Sequence, residues 1–267
     1  IFLILISFFL INKNVNAIEQ YTAHGGPVKG LAVSTDYKLM ASASFDYSVV
    51  VWDLNPIKEK ITLIGHDAAV NTVQFSPKNN YLVSGGDDNQ VLLWPLGKIK
   101  NKNEEIEPIK LGNHRGKVAD LDFSKNGKFL LTASWDGTVG VWDISKRKKI
   151  MSLRGHKGPV YSAKYSEDNK YIYSSGSDGE IKLWKAEDGE YVRPLIKNGW
   201  GISKFEIDEK KNFIAYGATD GQIQITEFTK DKSILKIKED RVPILSMYYL
   251  KKENMISFGN AKGRMII

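Results

Sequence analysis

The chain has 267 residues, 42% of them hydrophobic and 11% aromatic, enough to bury a sizeable core and too apolar for disorder. It contains no cysteine, which excludes structural disulfides, thiolate metal sites, a cysteine nucleophile and, within these residues, a covalently attached c-type haem. The net charge is +7, but the lysines sit singly in polar turns (Lys38, Lys78, Lys125, Lys170, Lys211), a pattern of ordinary solvation, so no nucleic-acid partner is expected.

Residues 1–11, IFLILISFFLI, form an uncharged apolar run. Polar NKN follows, and then Val15-Asn16-Ala17, with small side chains at the positions that export cleavage reads. The run is too short for a bilayer core of about 30 Å, which needs roughly 20 apolar residues. We expect a signal peptide over residues 1–17, a folded part over 18–267, and no membrane contact beyond the signal segment. Export without cysteine suits a bacterial periplasm.

From residue 18 onward the chain repeats itself. Short apolar, β-branched runs separated by turn formers, such as VKGLAVS, KLMASAS and VVVWDL, predict strands. The first unit holds His24, Ser42, Asp46 and Trp52, and the second His66, Ser84, Asp88 and Trp94. The third holds His114, Thr132, Asp136 and Trp142, and the fourth His156, Ser174, Asp178 and Trp184. In each, tryptophan follows histidine by 28 residues, and the histidines are spaced by 42, 48 and 42. The six extra residues of the second interval fall in GKIKNKNEEIEP, read as a charged loop insertion. One step further the register reaches Asn198, Asp220 and Thr226 in a decayed unit; the next gives Asp240 and Lys262 and leaves the last unit incomplete. Asp-Gly at 136–137, 178–179 and 220–221 predicts tight hairpin turns; Asp46-Tyr47 and Asp88-Asn89 suit them less well.

The stretch TASWDGTVGVWD (132–143), with His114 ahead of it, raises the question of a Ser-His-Asp hydrolase. The same residue types recur in four successive units, whereas one catalytic centre needs them once, so they are read as framework. No metal-ligand spacing and no phosphate loop is present.

A unit of about 42 residues with GH near its start and WD near its end resembles a WD40 repeat. The resemblance rests on HGGPV with WDL, GHDAAV with WPL, NHRGKV with WDI and GHKGPV with LWK, and extends over residues 18–267. It implies an all-β propeller of four-stranded antiparallel blades, about six of them visible and taken here as part of a seven-blade ring. In the alternative, six blades close using Ile18 to Thr22 as the last outer strand. It further implies that each Asp, His, Ser/Thr and Trp set forms a structural hydrogen-bond network, and that units five and six are less rigid. The function it implies is a noncatalytic, protein-binding scaffold, expected to be monomeric. By register, Phe45, Trp135 and Trp200 share the face that carries the loops between blades and the loops between second and third strands, and are the candidate partner-binding residues, unless each ring lies against its own loop. The pattern HGGPV, SFD, WDL and SWD is also similar to exported alphaproteobacterial WD40 proteins that carry a c-type cytochrome domain after the propeller. That narrower resemblance implies an alternative role as the docking domain of a periplasmic electron-transfer protein, with covalent haem c beyond residue 267.

Overall fold

The computed structural model describes residues 20–98, 106–228, 233–238 and 241–267. The expected signal peptide over residues 1–17 lies outside the described residues, as does Asp240. Apart from one 3-10 turn at Leu96–Lys98, the described elements are strands, and each sheet is antiparallel and takes its strands in sequence order.

Blade 1 comprises β1 (Val28–Val33), β2 (Leu39–Ser44), β3 (Ser48–Leu54) and β4 (Ile57–Ile64). Blade 2 comprises β5 (Val70–Phe75), β6 (Tyr81–Gly86), β7 (Gln90–Pro95) and β8 (Ile109–Asn113). Blade 3 has β9 (Val118–Phe123), β10 (Phe129–Ser134), β11 (Thr138–Asp143) and β12 (Lys148–Arg154). Blade 4 has β13 (Val160–Tyr165), β14 (Tyr171–Gly176), β15 (Glu180–Lys185) and β16 (Tyr191–Lys197). Blade 5 has β17 (Ile202–Asp208), β18 (Phe213–Ala218), β19 (Gln222–Glu227) and β20 (Ser233–Lys238). Blade 6 shows three strands among the described residues: β21 (Ile244–Leu250), β22 (Met255–Asn260) and the short β23 (Met265–Ile266). Gln20 to His24 form no strand, and the Tyr21 ring meets Trp52 edge-on at 6.5 Å.

The first strands of successive blades touch one another, which places them innermost. The middle strands are apolar on both faces because each blade is sandwiched between two others, so the core consists of layers between blades. Ala41, Val49 and Val51 of blade 1 meet Val73, Phe75 and Trp94 of blade 2; Leu131, Val139 and Val141 of blade 3 meet Ala163, Ile172 and Trp184 of blade 4. The far side of the insertion in blade 2 returns through buried Ile106, which joins the first layer.

In blades 1 to 5 the hairpins between second and third strands have three-residue loops. The amide of the third loop residue bonds back to the end of the strand, and that residue has positive φ: Tyr47 (73°), Asn89 (67°), Gly137 (84°), Gly179 (75°) and Gly221 (84°). The turn aspartate has negative φ, so the loop is a type I turn closed by one left-handed residue rather than a two-residue Asp-Gly turn. This geometry leaves the aspartate side chain free to face the loop from the preceding blade.

Candidate functional site

Each histidine after the first lies in the link from the outer strand of one blade to the inner strand of the next. His66 follows β4 of blade 1, yet its partners are Asp88, Ser84 and Trp94 of blade 2. The network thus fastens the inter-blade link to the second and third strands of the following blade, rather than tying one blade's outer strand to its own second and third strands.

Four such networks are present among the described residues. His24 Nδ1 lies 3.0 Å from Asp46 and its Nε2 2.7 Å from Ser42, whose oxygen accepts from Trp52 Nε1 at 2.9 Å. The corresponding distances in blade 2 are 2.8, 2.7 and 2.8 Å. For His114, Asp136, Thr132 and Trp142 they are 2.8, 2.6 and 2.8 Å, and for His156, Asp178, Ser174 and Trp184 they are 2.9, 2.8 and 2.8 Å. One proton arrangement satisfies every atom: indole N–H to hydroxyl, hydroxyl to Nε2, and Nδ1–H to carboxylate. A glycine one or two residues ahead of the histidine admits the indole, since a Cβ at Gly65, Gly112 or Gly155 would meet the ring of Trp94, Trp142 or Trp184 at 2.9, 2.8 and 3.0 Å.

Burial opposes the charge on Asp136, but hydrogen bonds from His114, Thr138 and the Arg115 amide outweigh it and hold the carboxyl well below its ordinary range. Asp178 is lowered against burial in the same way by His156 and the Lys157 amide, as is Asp88 by His66 and the Gln90 amide. Asp46 is lowered against burial by Ser48 and the Gly25 amide. The hydroxyls of these networks are sealed from solvent, Ser84, Thr132 and Ser174 being 0% exposed, so no substrate carbonyl can approach them.

In blade 5 the register residues part company. The Asn198 side chain donates to the Trp200 carbonyl at 3.1 Å, Asp220 pairs with Lys238 at 3.3 Å, and the buried Thr226 hydroxyl has no hydrogen-bond partner among the described residues.

The three aromatic candidates are well exposed: Phe45 55%, Trp135 48% and Trp200 59%. Phe45 and Trp135 occupy the first position of the hairpin loops in blades 1 and 3, and Trp200 the link into blade 5. No ring contact joins the three among the described residues. Trp135 stands edge-on to Tyr161 at 6.2 Å, with Lys117 Nζ 5.3 Å from its ring centre. Lys117 pairs with Asp87 at 2.7 Å, and Asn71 donates to the same carboxylate, so an aromatic and polar strip runs from blade 2 to blade 4. The sequence reading missed Tyr161, Lys117 and Asn71; their signal was their place at the start of the inner strand.

The inner strands carry a second polar group. Asp120 bonds Ser162 and, at 2.9 Å, Lys204, while Lys164 meets Glu206 at 2.7 Å. Burial pushes the Asp122 carboxyl up to about 7 against the Tyr165 amide and Lys164, with Asp120 and Glu206 adding to the rise. Among the described residues no cluster of three or more His, Cys, Asp or Glu is arranged to hold a metal, and no helix is long and apolar enough to cross a membrane.

Comparison with known proteins agrees with this architecture. The family model for the WD domain, G-beta repeat, matches residues 16–53, 57–95, 107–143 and 147–185. A chromatin assembly factor 1 protein of Gallus gallus, one of the subunits of that factor, is 34% identical over 147 residues, covering 45% of this chain and 25% of that protein. Serine-threonine kinase receptor-associated protein of Gallus gallus is 32% identical over 136 residues, 51% of this chain and 37% of its own length. The beta-5b form of a guanine nucleotide-binding protein of Danio rerio is 26% identical over 132 residues, 49% of this chain and 33% of its own. The match therefore spans well under half the length of these relatives. Four family-model matches across more than half of the chain, on a structure of six antiparallel blades, show that it belongs to the WD40 repeat family of β-propellers.

Proposed function

We propose that the chain is a noncatalytic scaffold that holds a protein partner on the face bearing Phe45, Trp135 and Trp200. The observation that carries this reading is the exposure of these three large side chains on a fold whose other indoles are buried. Exposed aromatic rings bring a large apolar area to a contact at small entropic cost, which is why they anchor interfaces. The names of two relatives, one of an assembly factor and one of a receptor-associated protein, support a scaffold type of function. The test compares partner capture by the Phe45→Ala, Trp135→Ala, Trp200→Ala triple variant with capture by Tyr37→Ala, a 76% exposed control outside these loops. Capture lost only in the triple variant supports the face; equal capture sinks it.

The apolar run at residues 1–11 and Val15-Asn16-Ala17 support export to a periplasm. A reporter fused to residues 1–20 is expected to cross the membrane, and its retention in the cytosol would overturn the reading. The reading as a docking domain for a c-type cytochrome rests on the SFD, WDL and SWD pattern. A haem stain of the natural full-length product decides it.

A further inference from the structure

A cavity of about 390 Å³ opens on blade 3 between the link bearing Arg115, the hairpin loop bearing Asp136 and the outer strand bearing Lys149, Ser152 and Arg154. Gly140 pairs with Ser152, next to Thr138 opposite Arg154, and stands two residues before Trp142. The same position holds Val50 in blade 1, Leu92 in blade 2 and Lys182 in blade 4. A Cβ on Gly140 would lie 2.6 Å from Thr132 Oγ1, so blade 3 has no side chain on that floor.

Blade 4 shows the filled alternative. Lys182 enters the space, bonds Glu180 and reaches Asp178 at 3.7 Å, while Tyr191 stands opposite Trp184. In blade 3 the residues matching Glu180, Lys182 and Tyr191 are Thr138, Gly140 and Lys149, so an acid is lost while a lysine on the outer strand takes the place of one on the third strand. Lys149 Nζ lies 4.6 Å from the Trp142 ring centre and donates to the Asn113 carbonyl at 3.1 Å. Arg115 and Arg154 have no acidic partner among the described residues. The one carboxylate in the wall, Asp136, is already engaged by His114, Thr138 and the Arg115 amide.

We propose that this cavity is an anion site for a phosphoryl group, either free phosphate or a phosphate monoester. Three cations face one carboxylate, an excess of two positive charges that a phosphate dianion balances and a single carboxylate does not. A tetrahedral oxyanion also offers acceptors to both guanidinium groups, the ammonium and the Ser152 hydroxyl at once. Burial lowers the Lys149 ammonium from its ordinary pKa, with Arg154 adding to the drop and Asp136 opposing it, so a bound anion relieves a strained cation. The site adjoins the hairpin loop that carries Trp135, but none of the three aromatic side chains lines it, and it does not depend on the proposed contact face.

The test is an amide NMR titration of the folded chain with inorganic phosphate, and separately with a phosphoserine peptide, each against sodium chloride at matched ionic strength. Saturable shifts at Arg115, Ser152 and Arg154 are expected with phosphate and not with chloride. Arg154→Gln is expected to weaken binding about tenfold, and Ser152→Asp to abolish it; both sit exposed on an outer strand, where the fold tolerates them. Tighter binding of the peptide identifies a phosphorylated partner as the source, and tighter binding of phosphate a small ligand. Shifts no larger than those with chloride, or unchanged affinity in both variants, would overturn the proposal.

Discussion

Trp94 Nε1 donates to Ser84 Oγ at 2.8 Å, and that fully buried hydroxyl connects the indole to His66 Nε2, 2.7 Å away. Ser84→Ala leaves a buried N–H donor and a buried ring nitrogen without partners. Each unpaired group costs about 1–3 kcal/mol, so the variant should lose roughly 2–6 kcal/mol in urea unfolding. A loss below about 1 kcal/mol would show that the network contributes little to holding the blades.

Thr226 supplies the opposite case. Its hydroxyl is 0% exposed and unpartnered among the described residues, so Thr226→Val removes a desolvated polar atom at nearly constant shape. The expected result is unchanged stability or a gain of about 1 kcal/mol, read from the thermal midpoint. A loss of that size would mean that the hydroxyl has an unseen partner.

Acid should dismantle the networks. Asp46, Asp88, Asp136 and Asp178 all have folded pKa values below the ordinary 3.8, so the unfolded chain takes up protons first. Their stabilisation is complete above about pH 4 and is lost as pH falls through the folded values. Stability measured between pH 5 and pH 2 should therefore drop, and Asp136→Asn should flatten part of that slope. An unchanged slope in the variant would contradict the assignment.

Tyr47 holds a φ of 73° where blades 3, 4 and 5 place glycine. A non-glycine residue there costs about 1–2 kcal/mol, partly offset by the greater freedom of glycine in the unfolded chain. Tyr47→Gly should raise stability by about 0.5–1 kcal/mol, and Asn89→Gly by less, because asparagine tolerates this region. Equal gains at the two positions would point to a cause other than backbone conformation.

Blade 5 lacks the histidine and tryptophan bonds that fasten blade 1. Amides of β18 and β19 should exchange with solvent faster than those of β2 and β3. Hydrogen exchange at equal rates in the two blades would show that packing between blades, not the network, sets local stability.

The repeat, the strand pattern and the make-up of the four networks were legible in the sequence for one physical reason. A buried chain of hydrogen bonds needs the same donors and acceptors at the same positions of each blade, so His24, Ser42, Asp46 and Trp52 return at constant spacing. The exposure of Phe45, Trp135 and Trp200 was legible only as register, because whether a ring lies against its own loop depends on what stands beside it. Tyr161 came to Trp135 from the next blade.

Other features had no linear trace. Asp120 and Lys204 are 84 residues apart and meet because the ring curves, and the network of His66 serves the blade after the strand it follows. The cavity on blade 3 brings together cations from β12 and the preceding link, beside a β11 that carries a glycine opposite Ser152. Spacing along the chain determined the blades; the lateral packing of one blade on another decided which surfaces opened, because those contacts join residues that share no period in the sequence.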